Sequence, residues 1–110
     1  MLVLKKKQFV LKKENIPSAY KEAKEFFEFA SQAMRDADTL VKCFAAIGFQ
    51  AEIEPSGDLT IVSYQENEQP IEMFLEALAP YIVKGSYLHF EEDGEKVEFS
   101  FDGKELAIML

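Results

Sequence analysis

The last part of the chain reads "SYLHFEEDGEKVEFSFDGKELAIML", three runs of alternating apolar and polar residues joined by two Asp-Gly pairs. Asp-Gly between alternating runs is a strong hairpin signal, because both central residues of a type I′ turn need a positive φ. A two-residue turn at Asp93-Gly94 sets Glu91 opposite Lys96, Phe90 opposite Val97, His89 opposite Glu98 and Leu88 opposite Phe99. A two-residue turn at Asp102-Gly103 sets Phe99 opposite Leu106 and Val97 opposite Ile108. Both registers place Leu88, Phe90, Val97, Phe99, Leu106 and Ile108 on one face. The other face takes Tyr87, His89, Glu91, Lys96, Glu98, Ser100, Glu105 and Met109. A sheet with one apolar face needs a second layer on that face, so amphipathic helices must lie upstream.

They are legible there. "NIPSAYKEAKEFFEFASQAM" carries Pro17 where a first helical turn accepts it, and Tyr20, Ala23, Phe27, Ala30 and Met34 recur at spacings of three and four, the period of a core-facing helix. Phe26 and Phe29 widen the stripe, which suits burial under another helix or an aromatic patch for homo-oligomer formation. "RDADTLVKCFAAIG" predicts a second helix or a kinked continuation, with Asp36 or Asp38 as N-cap, Leu40, Phe44 and Ile47 on one face, and Gly48 as the stop. A third helix follows in "QPIEMFLEALAPYI", where Ile71, Phe74, Leu75 and Leu78 share a face between Pro70 and Pro80.

Two further strand regions complete the pattern. "FQAEIEPSGDLTIVSY" alternates Phe49, Ala51 and Ile53 with Gln50, Glu52 and Glu54. With Pro55, Ser56 and Gly57 as a three-residue loop and Gly57 left-handed, Glu54 opposes Asp58 and Ile53 opposes Leu59, so the apolar residues share a face; a four-residue loop scrambles them. Residues 2–12 mix β-branched, aromatic and lysine residues, and Lys5, Lys6 and Lys7 mark an edge strand. The expected fold is α+β in two layers: a mainly antiparallel sheet with helices on one face, in the order β-α-α-β-β-α-β-β-β, ending in a three-stranded meander. One compact domain over residues 1–110 fits this length and a hydrophobic content of 48%.

The net charge of −8 is unevenly spread: residues 1–50 hold nine Lys and Arg against six Asp and Glu, whereas residues 51–110 hold three against fourteen. An acidic C-terminal part repels nucleic-acid phosphates and anionic lipid headgroups, and attracts cations or a basic protein surface. Direct nucleic-acid binding is therefore disfavoured, and no apolar run approaches the roughly 20 residues of a membrane span. "MLVLKKKQFVLKK" sets its charges after its apolar run, the reverse of a secretory signal, so a cytoplasmic protein is expected. Cys43 alone can form neither an internal disulfide nor a thiolate zinc cluster, and beside Phe44 on a helix it reads as a packed thiol.

No nucleophile with a base beside it, glycine-rich phosphate loop or His/Cys metal spacing occurs. "EEDGEKVEF" lacks the ligand ladder and the position-twelve Glu of a calcium loop. No catalytic residue, metal or cofactor is expected. His89 opposite Glu98 has the form of an oriented imidazole, and equally of an exposed cross-strand pair. Glu91, Glu98 and Glu105 share a face, Glu52 and Glu54 extend it if the two hairpins join one sheet, and Tyr87, Tyr64 and Met109 stand among the carboxylates. Aromatic and Met side chains among charges mark interfaces. The expectation is a non-enzymatic acidic protein-binding module, of inhibitor, immunity or anti-defence type, docking a basic partner surface through Tyr87, His89, Glu91, Glu98, Glu105, Met109, Glu52 and Glu54. The alternative is a small regulatory or enzymatic domain holding a cationic or metal-bound ligand near His89.

The stretch "LEALAPYIVKGSYLHFEEDGEKVEFSFDGKEL", Leu75 to Leu106, resembles a pattern of small, functionally uncharacterised bacterial and phage proteins. In them an "APYV" helix end precedes "GSYI", an acidic "EDG" turn and an aromatic strand that ends in a Gly turn. The likeness extends toward "IGFQAEIEPSGDLTIV" at Ile47 to Val62. It implies a bacterial or mobile-element origin and brings no activity with it.

Overall fold

In the computed structural model, which describes residues 1–26 and 32–110, the regular elements are β1 (Leu2–Gln8), α1 (Ile16–Phe26), α2 (Gln32–Asp36), α3 (Leu40–Ala46), β2 (Phe49–Ile53), β3 (Leu59–Tyr64), α4 (Ile71–Leu78), β4 (Tyr87–Glu92), β5 (Glu95–Phe101) and β6 (Leu106–Met109). They form an antiparallel four-stranded sheet of order β1-β4-β5-β6 and a separate antiparallel hairpin, β2-β3. This is the expected α+β fold with its terminal meander. Phe27, Phe29 and Ala30 lie outside the described residues, and of Phe26, the other residue of the self-association patch, only the helical backbone is described.

The turns follow from their residues. Asp93 and Gly94 adopt φ values of 52° and 85°, and β4 pairs β5 in the expected register from Leu88 opposite Phe99 to Glu91 opposite Lys96. Gly57 has φ 93°, Ile53 faces Leu59, and Glu54 N–H donates to the Asp58 carbonyl at 2.8 Å, as a three-residue loop requires. The cap of α3 is Thr39, not Asp36 or Asp38: its Oγ1 accepts from Lys42 N–H at 3.1 Å. Asp38 stands one residue too early for that bond, and its carboxylate meets Lys42 Nζ at 2.9 Å instead. Gly48 ends the helix with φ 101°, and a Cβ there would lie 2.4 Å from the Gln65 carbonyl oxygen.

Two bulges correct the phase of strands whose apolar pattern breaks. In β1 the apolar residues begin at even positions, Leu2 and Leu4, and resume beyond the strand at odd ones, Phe9 and Leu11. The register slips between Leu4 and Lys6, so Lys5 is the extra residue and all four apolar side chains reach the core side. In β3 the slip lies beside Gln50 and Ala51 of β2, leaving Val62 unpaired and setting Phe49 opposite Tyr64. Without it, Ser63 would take that place and Tyr64 would turn outward.

Leu11 joins the two sheets. It is fully buried, bridges both Leu59 and Ile82, and exchanges two backbone bonds with Leu59 at 2.9 and 2.8 Å. Next to it, Val10 N–H donates to the hydroxyl of buried Ser86 at 3.2 Å. Around this junction a chain of rings crosses from sheet to helices. Phe9 meets Phe101 edge-on at 5.7 Å and Phe44 at 5.9 Å; Phe44 meets Phe74 at 5.0 Å and Phe49 at 6.1 Å; Phe49 meets Tyr64 at 4.7 Å. The Cα radius of gyration is 13.0 Å, close to the value of about 13 Å for one compact domain of this size.

Phe44 is the ring on which α3, α4, β2 and the end of β1 converge, and it is fully buried. Phe44→Ala should lower the unfolding free energy by about 3–5 kcal/mol in a urea titration, the range for deleting a buried phenyl ring. A loss confined to the small change of a surface substitution would mean that this cluster is not the core.

Candidate functional site

The four-stranded sheet has one covered and one uncovered face. Leu88, Phe90, Phe99 and Phe101 point into the core and are buried, whereas Tyr87, His89, Glu91, Lys96, Glu98, Ser100, Ala107 and Met109 are all half-buried or exposed. This is the division of faces that the alternation predicts. On the uncovered face Tyr87 and His89, two positions apart on β4 and therefore on the same side, stack with ring centroids 4.5 Å apart and 29° between planes. His89 and Glu98 are Cα partners, but among the described residues they form no ion pair, and the imidazole lies on the phenol.

The sequence gives no local sign of what β1 adds. Its pairing with β4 sets Val3 beside Glu91 and Lys6 beside His89, and the bulged Lys5 reaches Glu91 Oε2 at 3.9 Å. A hollow of about 130 Å³ on this face is lined by Lys5, Lys6, His89, Glu91, Lys96 and Glu98. Three ammonium groups thus share the surface with two carboxylates. The face is mixed in charge, with exposed Val3 and Met109 at its margins, and is not the acidic surface expected from β4, β5 and β6 alone.

Three expected site residues are placed elsewhere. Glu52 lies on β2 and Glu54 just beyond it, in the separate hairpin, so neither extends the open face. Glu105 lies in a loop because the second Asp-Gly turn is wider than two residues. The Asp102 carboxylate accepts from Lys104 N–H at 2.8 Å and Glu105 N–H at 2.7 Å, which wraps residues 102–105 into a four-residue connection. Phe101 then opposes Leu106 and Phe99 opposes Ile108. The shift from the expected register is two residues, so each side chain keeps its face. Tyr64 is the fourth displaced residue. The β3 bulge turns its ring onto Phe49 and onto Phe90, 5.4 Å away, on the core side.

A different set of carboxylates, Glu66, Glu92 and Asp93, gathers at one end of the sheet. Leu2 pairs with Glu92 and its N–H donates to Glu66 Oε2 at 3.4 Å, while the terminal ammonium stands 3.7 Å from Asp93. Tyr64 reports this crowding: burial first, then repulsion from Glu66 and Glu92, pushes its hydroxyl above the ordinary phenol range. A hollow of about 530 Å³ opens at the same end, between Gly48, Gln50, Tyr64, Glu66 and Asn67. It is a broad open notch without a paired acid and base among its lining residues. No three His, Cys, Asp or Glu side chains among the described residues converge as a metal-binding group, and Cys43 is fully buried, with desolvation raising its thiol. No helix among them is long and apolar enough to cross a membrane. No family model, curated protein or solved structure matches the chain.

The Asp102 loop gives a pH test. Its carboxyl is held below the ordinary range first by the Glu105 N–H, then by that of Lys104. A group with a lowered folded pKa contributes stability above its unfolded pKa, about 3.9 for Asp, and loses it as pH falls through the folded value. The amide resonances of Lys104 and Glu105 should therefore stay native-like as pH falls to the ordinary Asp pKa and shift only below it. In Asp102→Asn, whose side-chain oxygen accepts without titrating, they should hold steady. A midpoint at or above the ordinary value in the parent chain would remove this account of the register.

Proposed function

We propose that the chain is a non-enzymatic protein-binding module that docks through the uncovered face of β1, β4, β5 and β6, with its acidic end turned toward a basic region of the partner. One observation carries the reading. A four-stranded sheet with helices on one side presents on the other a stacked Tyr87–His89 pair among Glu91, Glu98, Lys5, Lys6 and Lys96, with Val3 and Met109 exposed beside it. Aromatic anchors ringed by charges suit the centre and rim of a protein interface. Glu66, Glu92, Asp93 and neighbouring Glu95 supply the long-range field that speeds encounter with a basic surface. Blocking a partner's surface in this way, without chemistry, is the action of an inhibitor or immunity protein, and it suits a cytoplasmic setting. The alternative, a cationic ligand held at His89, is disfavoured by the three lysines that rim the same hollow.

A photo-crosslinking residue at position 87 should capture the partner in the native host, and one at position 21, on the helical side, should not. Capture from position 21 alone would place the docking surface elsewhere. With the partner in hand, Tyr87→Ala should act on dissociation and weaken the complex by about 2 kcal/mol or more, as an interface anchor does. Glu92→Gln, Asp93→Asn and Glu95→Gln combined should instead slow association and flatten its salt dependence. An association rate unchanged by the triple variant would remove the acidic end from the mechanism.

A further inference from the structure

We propose that the free edge of β6 pairs with the β6 of a second copy, joining two four-stranded sheets into one antiparallel sheet of eight. The direction of the backbone groups leads to this. Phe101 N–H donates to the Ser86 carbonyl at 3.0 Å and its own carbonyl accepts from Gly85 at 2.9 Å, so the backbone groups of Phe101 point toward β4. In an antiparallel ladder successive residues bond to opposite sides. Ser100 and Glu98 therefore bond toward β6, to their partners Ala107 and Met109, and the N–H and carbonyl groups of Leu106 and Ile108 point outward. Among the described residues no strand pairs with that side.

Charge selects the occupant. The chain carries a net charge of −8, and like charges set directly opposite each other across two strands are destabilising. Self-pairing of β1 would oppose Lys5, Lys6 and Lys7 with their own copies, and self-pairing of β2 would bring Glu52 and its neighbour Glu54 against theirs. Between Leu106 and Leu110 there is no charged side chain and no Pro, the two features that usually guard an exposed edge. Met109 is 66% exposed and Leu110 98%, so β6 can meet its own copy without repulsion and gains apolar burial on doing so.

Geometry fixes the register. Side chains must keep their faces across the new seam, so Ile108 opposes the second copy's Ile108, Leu106 opposes Leu110, and Ala107 opposes Met109. The outward groups of Leu106, Ile108 and Leu110 then bond across a two-fold axis perpendicular to the sheet. That axis leaves both uncovered faces on the same side. A seam of this length belongs with transient interfaces of under about 1,200 Å², so the dimer should dissociate in the micromolar range.

Sedimentation velocity on the full chain, from about 10 µM to about 500 µM, should show a monomer passing reversibly into a dimer. Ala107→Lys with Met109→Lys sets ammonium against ammonium across the seam and should leave only monomer. Ala107→Glu with Met109→Lys sets opposite charges together in the stated register and should restore the dimer. Both positions are exposed on the uncovered face, and circular dichroism with melting at low concentration verifies that each variant is folded. A parent chain that stays monomeric throughout, or a double-lysine variant that still dimerises, overturns the pairing. A Glu/Lys variant as monomeric as the double-lysine one overturns the register.

Discussion

The two backbone bonds between Leu11 and Leu59 are the constraint on which the remaining structure depends. They are where the hairpin β2-β3 is fastened to the larger sheet. Leu11 also bridges Ile82, so the segment after β1 is held between the hairpin and the chain leading into β4. Leu11, Leu59 and Ile82 are buried, where an unpaired backbone group would cost about 1–3 kcal/mol. The rings of Phe9, Phe44 and Phe49 then close over the same junction. Such edge-to-face pairs contribute about 0.5–1.5 kcal/mol each beyond the area they bury. Polar pairing and aromatic packing thus hold the same joint from two sides.

Beyond Leu11 the strands β1 and β3 separate. A cleft of about 390 Å³ lies between them, lined by Lys5, Lys6, Lys7, Val62, Ser63 and Tyr64 among others. Two of the lysines that line it, Lys5 and Lys6, also border the uncovered face, where with Lys96 they give it its mixed charge. Negative charge near Tyr87 and His89 is locally offset by ammonium groups, while the turn at Asp93 and the loop at Glu66 keep theirs. In the proposed docking mode, contact and steering therefore fall to different regions of the surface.

How much of this was legible in the sequence depends on the distance between the residues involved. Asp93-Gly94 and Pro55-Ser56-Gly57 fix their registers locally, and both were readable to the residue. At Asp102-Gly103 the same dipeptide failed, because the carboxylate of Asp102 bonds two amides ahead of it and widens the turn; a two-residue slip preserved the faces but took Glu105 out of the strand. Thr39 supplied the cap that Asp36 or Asp38 was expected to supply, a matter of one or three residues. The bulges had a signal, a change from even to odd apolar positions between Leu4 and Phe9. The pairing of β1 with β4 had none, since nothing near Lys5 or Lys6 refers to Glu91 or His89. The composition of the candidate surface depended on that pairing, so the face and its Lys96 could be predicted but Lys5 and Lys6 could not.

The same pairing sets an order of events during synthesis. Leu2 finds its place only beside Glu92, so β1 waits for β4, which is made long after it. A growing chain leaves β1 without this partner until β4 is made, and unpaired strands are prone to aggregate. Lys5, Lys6 and Lys7 are well suited to that interval: a strand bearing three adjacent ammonium groups repels other nascent copies of itself. Closing so long a loop also costs entropy before any contact offsets it, which makes docking of β1 a late step. Three adjacent ammonium groups thus disfavour self-pairing of β1 for as long as the strand is unpaired.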